Sequence, residues 1–193
     1  MRFFYAYICI IIGLHGISSC AQKSGIDYND MESLSINGHP NAVIEIPAGT
    51  NLKMEYNKKT HRFLPDKRKG KDRKIAFLPY PGNYGFIPST YSDPNKGGDG
   101  DALDILVISE SVPTGTVMEA VPLAVLKLLD NGEQDYKIIA IPADIDKRVI
   151  DVTTFNELKT ELPSAMKIIE DWFLNYDQEE TASIEGWGDE KNA

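Results

Sequence analysis

The chain has 193 residues, 42% hydrophobic and 25% charged, which is enough for one domain with a buried core and ordinary for a globular protein. Its formal net charge of −9 excludes a general nucleic-acid or anionic-membrane surface, since both require a basic face. A small anionic substrate stays allowed, because local charge can oppose the global sign.

The first twenty residues, "MRFFYAYICIIIGLHGISSC", form a separate object. Arg2 precedes an uncharged apolar run over 3–14, then small and polar residues follow, the layout of a secretory signal peptide at 1–19. The run is short against the ~20 residues a bilayer span needs. Ile17-Ser18-Ser19-Cys20 resembles a bacterial lipoprotein box, which implies lipidation of Cys20 and an exported chain anchored on the periplasm side of a membrane. Cys9 and Cys20 are the only cysteines, so a mature chain has neither disulfide nor thiol nucleophile. Residues 20–41 are mostly polar and aperiodic and read as the attachment cysteine, a polar tether and a loosely structured entry. The remaining 42–193 read as one domain.

From Ala42 short β segments alternate with turn signals. "AVIEIP" (42–47) is β-branched and stops at a proline; "LKMEY" (52–56) alternates, with Lys53 and Glu55 on one face and Leu52 and Met54 on the other. A basic, turn-like "PDKRKGKDRK" (65–74) precedes "IAFLPY", and "PGNYGFIP" reads as a Gly/Pro-punctuated loop carrying aromatics. "DILVIS" (104–109), "TVMEAVPLAVLKLLD" (116–130) and "YKIIAIP" (136–142) are predicted strands. Pro122 makes the second either two strands or one bulged strand. "DNGEQD" (130–135) contains Asn-Gly and reads as a hairpin loop. Helical spacing comes only near the end. "VTTFNEL" predicts a short helix. "LPSAMKIIEDWFLNY" predicts a longer one, with Ala165, Ile169, Trp172 and Tyr176 on one face and Pro163 near its first turn. Many strands followed by helices predict an α+β fold, a small β-barrel with helices packed outside.

"GGDGDALDILVI" places Asp99, Asp101 and Asp104 at the mouth of a predicted strand. Two such charges ~4 Å apart repel by roughly 4 kcal/mol at an effective dielectric near 20. Either they point apart into water or a cation holds them together. An EF-hand is excluded: the segment 93–104 has Gly97 at the fifth loop position, Asp104 rather than Glu at the last, and a strand rather than a helix behind it. Glu45 within "VIEIP", the Lys53–Glu55 pair, Asp130 and Asp135 beside a turn, and Tyr84 in "GNYGF" each have ordinary structural uses when taken alone.

Taken together, in order, "VIEIP", "KME", "DRK", "GNYGFIP", "DGDALD" and "DNGEQDYK" make the chain resemble the soluble family I inorganic pyrophosphatases, over most of 42–176 with an echo at "EGW" (185–187). The resemblance implies a five-stranded OB-like β-barrel with flanking α-helices. It implies Mg²⁺-dependent hydrolysis of pyrophosphate to two phosphates by a metal-activated water. Residue by residue, Asp99, Asp104 and Asp135 match the main Mg²⁺ ligands, with Asp130 and Glu45 at supporting metal positions. Asp101 matches the carboxylate that activates the water. Lys53, Arg73, Tyr84, Lys137 and Tyr176 match phosphate-contacting positions, and Glu55 lines the site; Arg68 is the weaker alternative to Arg73. Hard divalent cations would neutralise the carboxylates and bridge to phosphate oxygens, and two of them sharing a water would lower its pKa. Relatives usually carry Tyr-Lys where this chain has Tyr176-Asp177. Either Asp177 turns to solvent while another lysine such as Lys147 substitutes, or phosphate binding is weaker here. Expected partners are pyrophosphate, further copies of the chain in a homo-oligomer, and a membrane only through the lipid anchor. The competing readings are an inactive metal-binding lipoprotein of the same fold, a broader phosphoanhydride hydrolase, and a cytoplasmic location as for most of the family.

Overall fold

The computed structural model describes residues 26–28 and 30–192. The expected signal peptide and Cys20 lie outside the described residues. Strand β1 (Asn41–Ile46) is the "AVIEIP" segment. It is followed by two hairpins, β2 (Met54–Asn57) with β3 (Arg62–Pro65), and β4 (Lys67–Arg68) with β5 (Lys71–Asp72). The basic stretch at 65–74 is therefore a small hairpin, turning through Lys69 and Gly70 at positive φ. Next come β6 (Asn83–Phe86), β7 (Asp104–Val107) and β8 (Val117–Asp130). After the Asn131-Gly132 turn, both residues at positive φ as a tight hairpin needs, follow β9 (Glu133–Gln134) and β10 (Lys137–Pro142). Helices α1 (Phe155–Glu161) and α2 (Pro163–Asn175) precede the last strand, β11 (Ala182–Asp189).

Five strands close into a ring, in the order β1-β6-β7-β10-β8 and back to β1. All neighbours are antiparallel except β7 and β10. The expected five-stranded OB-like barrel is what the chain forms. Alternation sorts its side chains. Ala42, Ile44, Ile105, Val107, Ile138 and Ala140 form one buried cluster, and the intervening Leu106 and Ile139 belong to another that packs under α2. On α2, Ile169, Trp172 and Phe173 face this second cluster, and burying each such side chain contributes roughly 1.5–3 kcal/mol. Thr154 and Glu157 form a capping box that starts α1, and Pro163 opens α2 where a missing N–H costs nothing.

One expectation is corrected and two are narrowed. "PGNYGFIP" is no loop: Asn83–Phe86 is a barrel strand, because Gly85 lets β6 press against β1, where a Cβ would stand 1.9 Å from the Val43 carbonyl oxygen. The segment at 116–130 is one strand, and Pro122 sits where the β8–β10 register shifts, so the bulged alternative holds. From Ile26 onward the described part of the polar segment is an entry seated on the barrel. Tyr28 is buried, its ring 5.1 Å from Tyr56 and 5.2 Å from Phe63, and its hydroxyl donates to the Gly115 carbonyl at 2.9 Å. Strand β11, pairing with β8, had no counterpart in the sequence reading beyond "EGW".

Candidate active site

Strand ends assemble the site. Asp104 opens β7 and Lys137 opens β10, the two residues pair directly across the parallel ladder, and Asp130 closes β8. The β1–β6 register shifts between Ile44 and Ile46, so Glu45 is the extra residue of a bulge, a device that re-aims a side chain. These groups border a cleft of about 320 Å³ between the barrel rim, the β2–β3 hairpin and the C-terminal end of α2. Every residue expected at the site lines it: Asp99, Asp101, Asp104, Asp130 and Asp135, Glu45 and Glu55, the cations Lys53, Arg73 and Lys137, and the phenols Tyr84 and Tyr176.

The buried end of the cleft is organised around Lys137, which is 2% exposed. Its Nζ donates to Asp104 Oδ2 at 2.5 Å and to Asp135 Oδ1, and lies 5.7 Å from the centre of the Tyr84 ring. Burial alone would discharge this lysine; the two carboxylates outweigh it and raise its pKa. Asp104 Oδ2 also accepts from the Tyr84 hydroxyl at 2.5 Å. Burial, then the neighbouring acids, push the Tyr84 phenol far up, so it remains an O–H donor. Tyr176, stacked on Trp172 at 4.8 Å, is likewise raised by burial first. Glu45 Oε1 accepts the Tyr56 backbone N–H at 2.6 Å, yet burial pushes its carboxyl up to about 8.

The donor set suits a hard cation. Asp130 Oδ1 is buried with no hydrogen-bond partner among the described residues, a costly arrangement unless something positive meets it. A lysine drawn between Asp104 and Asp135 marks a place that attracts positive charge. Among the described residues no three His, Cys, Asp or Glu side chains stand close enough together to hold a metal ion as they are. At the rim, the Asp101 backbone N–H donates to Asp99 Oδ1 at 3.0 Å. Partial burial and then the Asp99 charge raise the Asp101 pKa, while Lys58 lowers it.

On the cationic side, Lys53 Nζ donates to Glu55 Oε1 at 2.8 Å, as strand alternation predicts. Arg73 lies in the cleft, and Arg68, the weaker alternative, stands behind it. Asp177 neither turns to solvent nor enters the cleft: its side chain is 6% exposed and ion-paired with both arginines. Lys147 does not substitute for a lysine there, because it pairs with Asp144 at 3.2 Å and lines a different hollow. The sequence reading missed Lys58, which reaches the cleft from the β2–β3 turn, and the aromatic wall of Tyr80, Trp172 and Phe173. It also missed Glu180, for which the acidic "QEE" after the helix was the available signal.

Comparison with known proteins follows the same lines. A sequence model of the family described as inorganic pyrophosphatase matches residues 42–193. An inorganic pyrophosphatase of Neisseria meningitidis serogroup B is 35% identical over 154 residues, covering 79% of this chain and 81% of that protein. One from Kluyveromyces lactis is 37% identical over 154 residues, covering 72% of this chain but only 53% of that longer protein. The crystal structure of an inorganic pyrophosphatase from Neisseria gonorrhoeae is similar at a TM-score of 0.71 and 32% identity, covering 86% of this chain and 91% of that one. A match that begins within the first barrel strand and runs past both helices to residue 193 is a match to the fold as a whole, and the chain belongs to the inorganic pyrophosphatase family, the enzymes that hydrolyse pyrophosphate.

Proposed function

We propose that this chain hydrolyses inorganic pyrophosphate to two phosphates with Mg²⁺ as its metal. The observation that supports the reading best is one cleft with two chemistries, carboxylates gathered around the strand ends and N–H and O–H donors facing them. Eight carboxylates line it against four cations, so a multiply charged anion cannot enter unaided. The family is metal-dependent. Asp99, Asp104 and Asp135 would hold the metal, with Asp130 and Glu45 in support. When bound, the divalent cation neutralises acids and phosphate oxygens and acidifies the attacking water. Asp101, its pKa raised, accepts the proton of that water as it attacks phosphorus. Lys53, Arg73 and Lys137, with the protonated phenols of Tyr84 and Tyr176, donate to phosphate oxygens and stabilise the charge that builds on the leaving phosphate. The lipoprotein-like box ending at Cys20 supports export and a lipid tether for the same enzyme.

The test is phosphate release from pyrophosphate by the full chain, with Mg²⁺, with excess chelator, and with a nucleoside triphosphate instead of pyrophosphate. Release is expected only with Mg²⁺ and preferentially from pyrophosphate, and Asp104→Asn is expected to abolish nearly all of it. Full activity in chelator would overturn the metal assignment. Equal turnover of the triphosphate would favour a broader phosphoanhydride hydrolase.

A further inference from the structure

Arg73 enters the cleft from the foot of the β4–β5 hairpin, and a carboxylate outside the cleft holds it there. Asp177, two residues beyond α2, uses both oxygens. Oδ2 meets Arg73 Nη2 and, at 2.7 Å, Arg68 Nη2. Oδ1 accepts from Arg68 Nη1 at 2.8 Å and from the Glu179 backbone N–H at 3.0 Å. Without this carboxylate the two guanidinium groups would repel each other. The other acids near Arg73 stand farther off, Asp66 at 3.3 Å and Glu180 at 3.5 Å.

A guanidinium has five N–H donors in a fixed fork. On Arg73, Nη2 is directed at Asp177 and Glu180 and one Nη1 hydrogen at Asp66. Nε–H and the second Nη1 hydrogen make no hydrogen bond among the described residues. They lie on different edges of the fork, since Nε–H shares its edge with Nη2, and the guanidinium that carries them is held in place by a carboxylate with almost no exposure.

We propose that Asp177 is a positioning residue for pyrophosphate: wedged between Arg68 and Arg73, it holds the Arg73 guanidinium at the cleft so that these two uncommitted N–H donors are left for a phosphate group of the substrate. The proposal rests on the reading that Arg73 contacts phosphate. It replaces the two expectations for Asp177, because the side chain acts on the cleft through Arg73 and not by its own charge within it.

Steady-state kinetics of the full chain with Mg²⁺ and pyrophosphate test it. Asp177→Asn is expected to raise KM about tenfold, the loss of a charged hydrogen bond, with kcat within about twofold, and to weaken inhibition by phosphate in the same proportion. Asp177→Glu keeps the charge but shifts Arg73, and is expected to raise KM less; it carries the comparison alone if the Asn variant does not fold. Lys69→Gln removes the exposed Lys69–Glu179 pair, 3.0 Å long, which joins the same two segments, and is expected to leave KM unchanged. In an Arg73→Ala background, Asp177→Asn is expected to add no further rise. KM and phosphate inhibition at the parent's values in the Asp177 variants would overturn the proposal, as would full additivity with Arg73→Ala. A parent chain without hydrolysis would overturn the functional reading itself.

Discussion

Asp101 sits exposed at the cleft rim, on the same short loop as Asp99 and three residues before β7. Its backbone is fixed by Asp99, while its own carboxylate accepts no hydrogen bond among the described residues, so it is available to a water. Asp104, by contrast, is already engaged by Tyr84 and Lys137. Two acids of one motif thus have different environments, which is how similar groups take different roles. Asp101→Asn is expected to lower kcat by about 10²–10⁴-fold, the usual contribution of a general base, and to leave Mg²⁺ affinity unchanged in calorimetric titration. A collapse of that affinity would make Asp101 a ligand instead. The residue types at this site were legible in the sequence, because carboxylates in "DGDALD" and cations in "KME" and "DRK" are local motifs. Lys58 and Glu180 were not, since each is brought to the cleft by a turn whose direction no periodicity encodes.

At the scale of elements, β1 and β6 matter most to the site, because Glu45 and Tyr84 hang on their pairing. That pairing depends on Gly85, whose missing side chain admits the Val43 carbonyl. Gly85→Ala would force the strands apart, and overpacking of this kind costs about 1–3 kcal/mol. A fall in Tm on the order of 5 °C is expected, together with a loss of activity larger than the loss of stability explains, read by thermal melting and by turnover well below Tm. A variant with the parent's Tm and rate would show that β6 yields without moving the site. The glycine that makes this strand possible also hid it: Gly and Pro on either side of Tyr84 are turn signals locally, and only the close approach of β1 turns them into strand residues. Helix α2 was read correctly for the opposite reason. Its apolar period of 3.6 is complete within its own sequence, and Pro163 marks its start.

For the whole molecule, residue 26 is the first described residue, and the segment behind it is already seated on the barrel through Tyr28. If the chain is anchored through Cys20, only a handful of residues separates the lipid from that seat, so the enzyme would be held close to the membrane. Among the described residues no helix is long and apolar enough to cross one. On the proposed lipid anchor, Cys20→Ser is expected to move the protein from the membrane fraction to the soluble fraction and to abolish labelling by a fatty-acid probe; unchanged membrane association would rule out this anchor. By itself the sequence determined the chemistry: acids, cations and phenols in a fixed order, strands by alternation, helices by their longer period. Those signals are local, since a residue's face is set by neighbours within a few positions. Ring closure of β1 on β8, the docking of β11, Lys137 between two acids and Asp177 beneath Arg73 were decided only by the tertiary structure. Arg73 and Asp177 lie 104 residues apart, and which charge meets which across that distance follows from how the whole chain crosses itself, not from any short stretch of it.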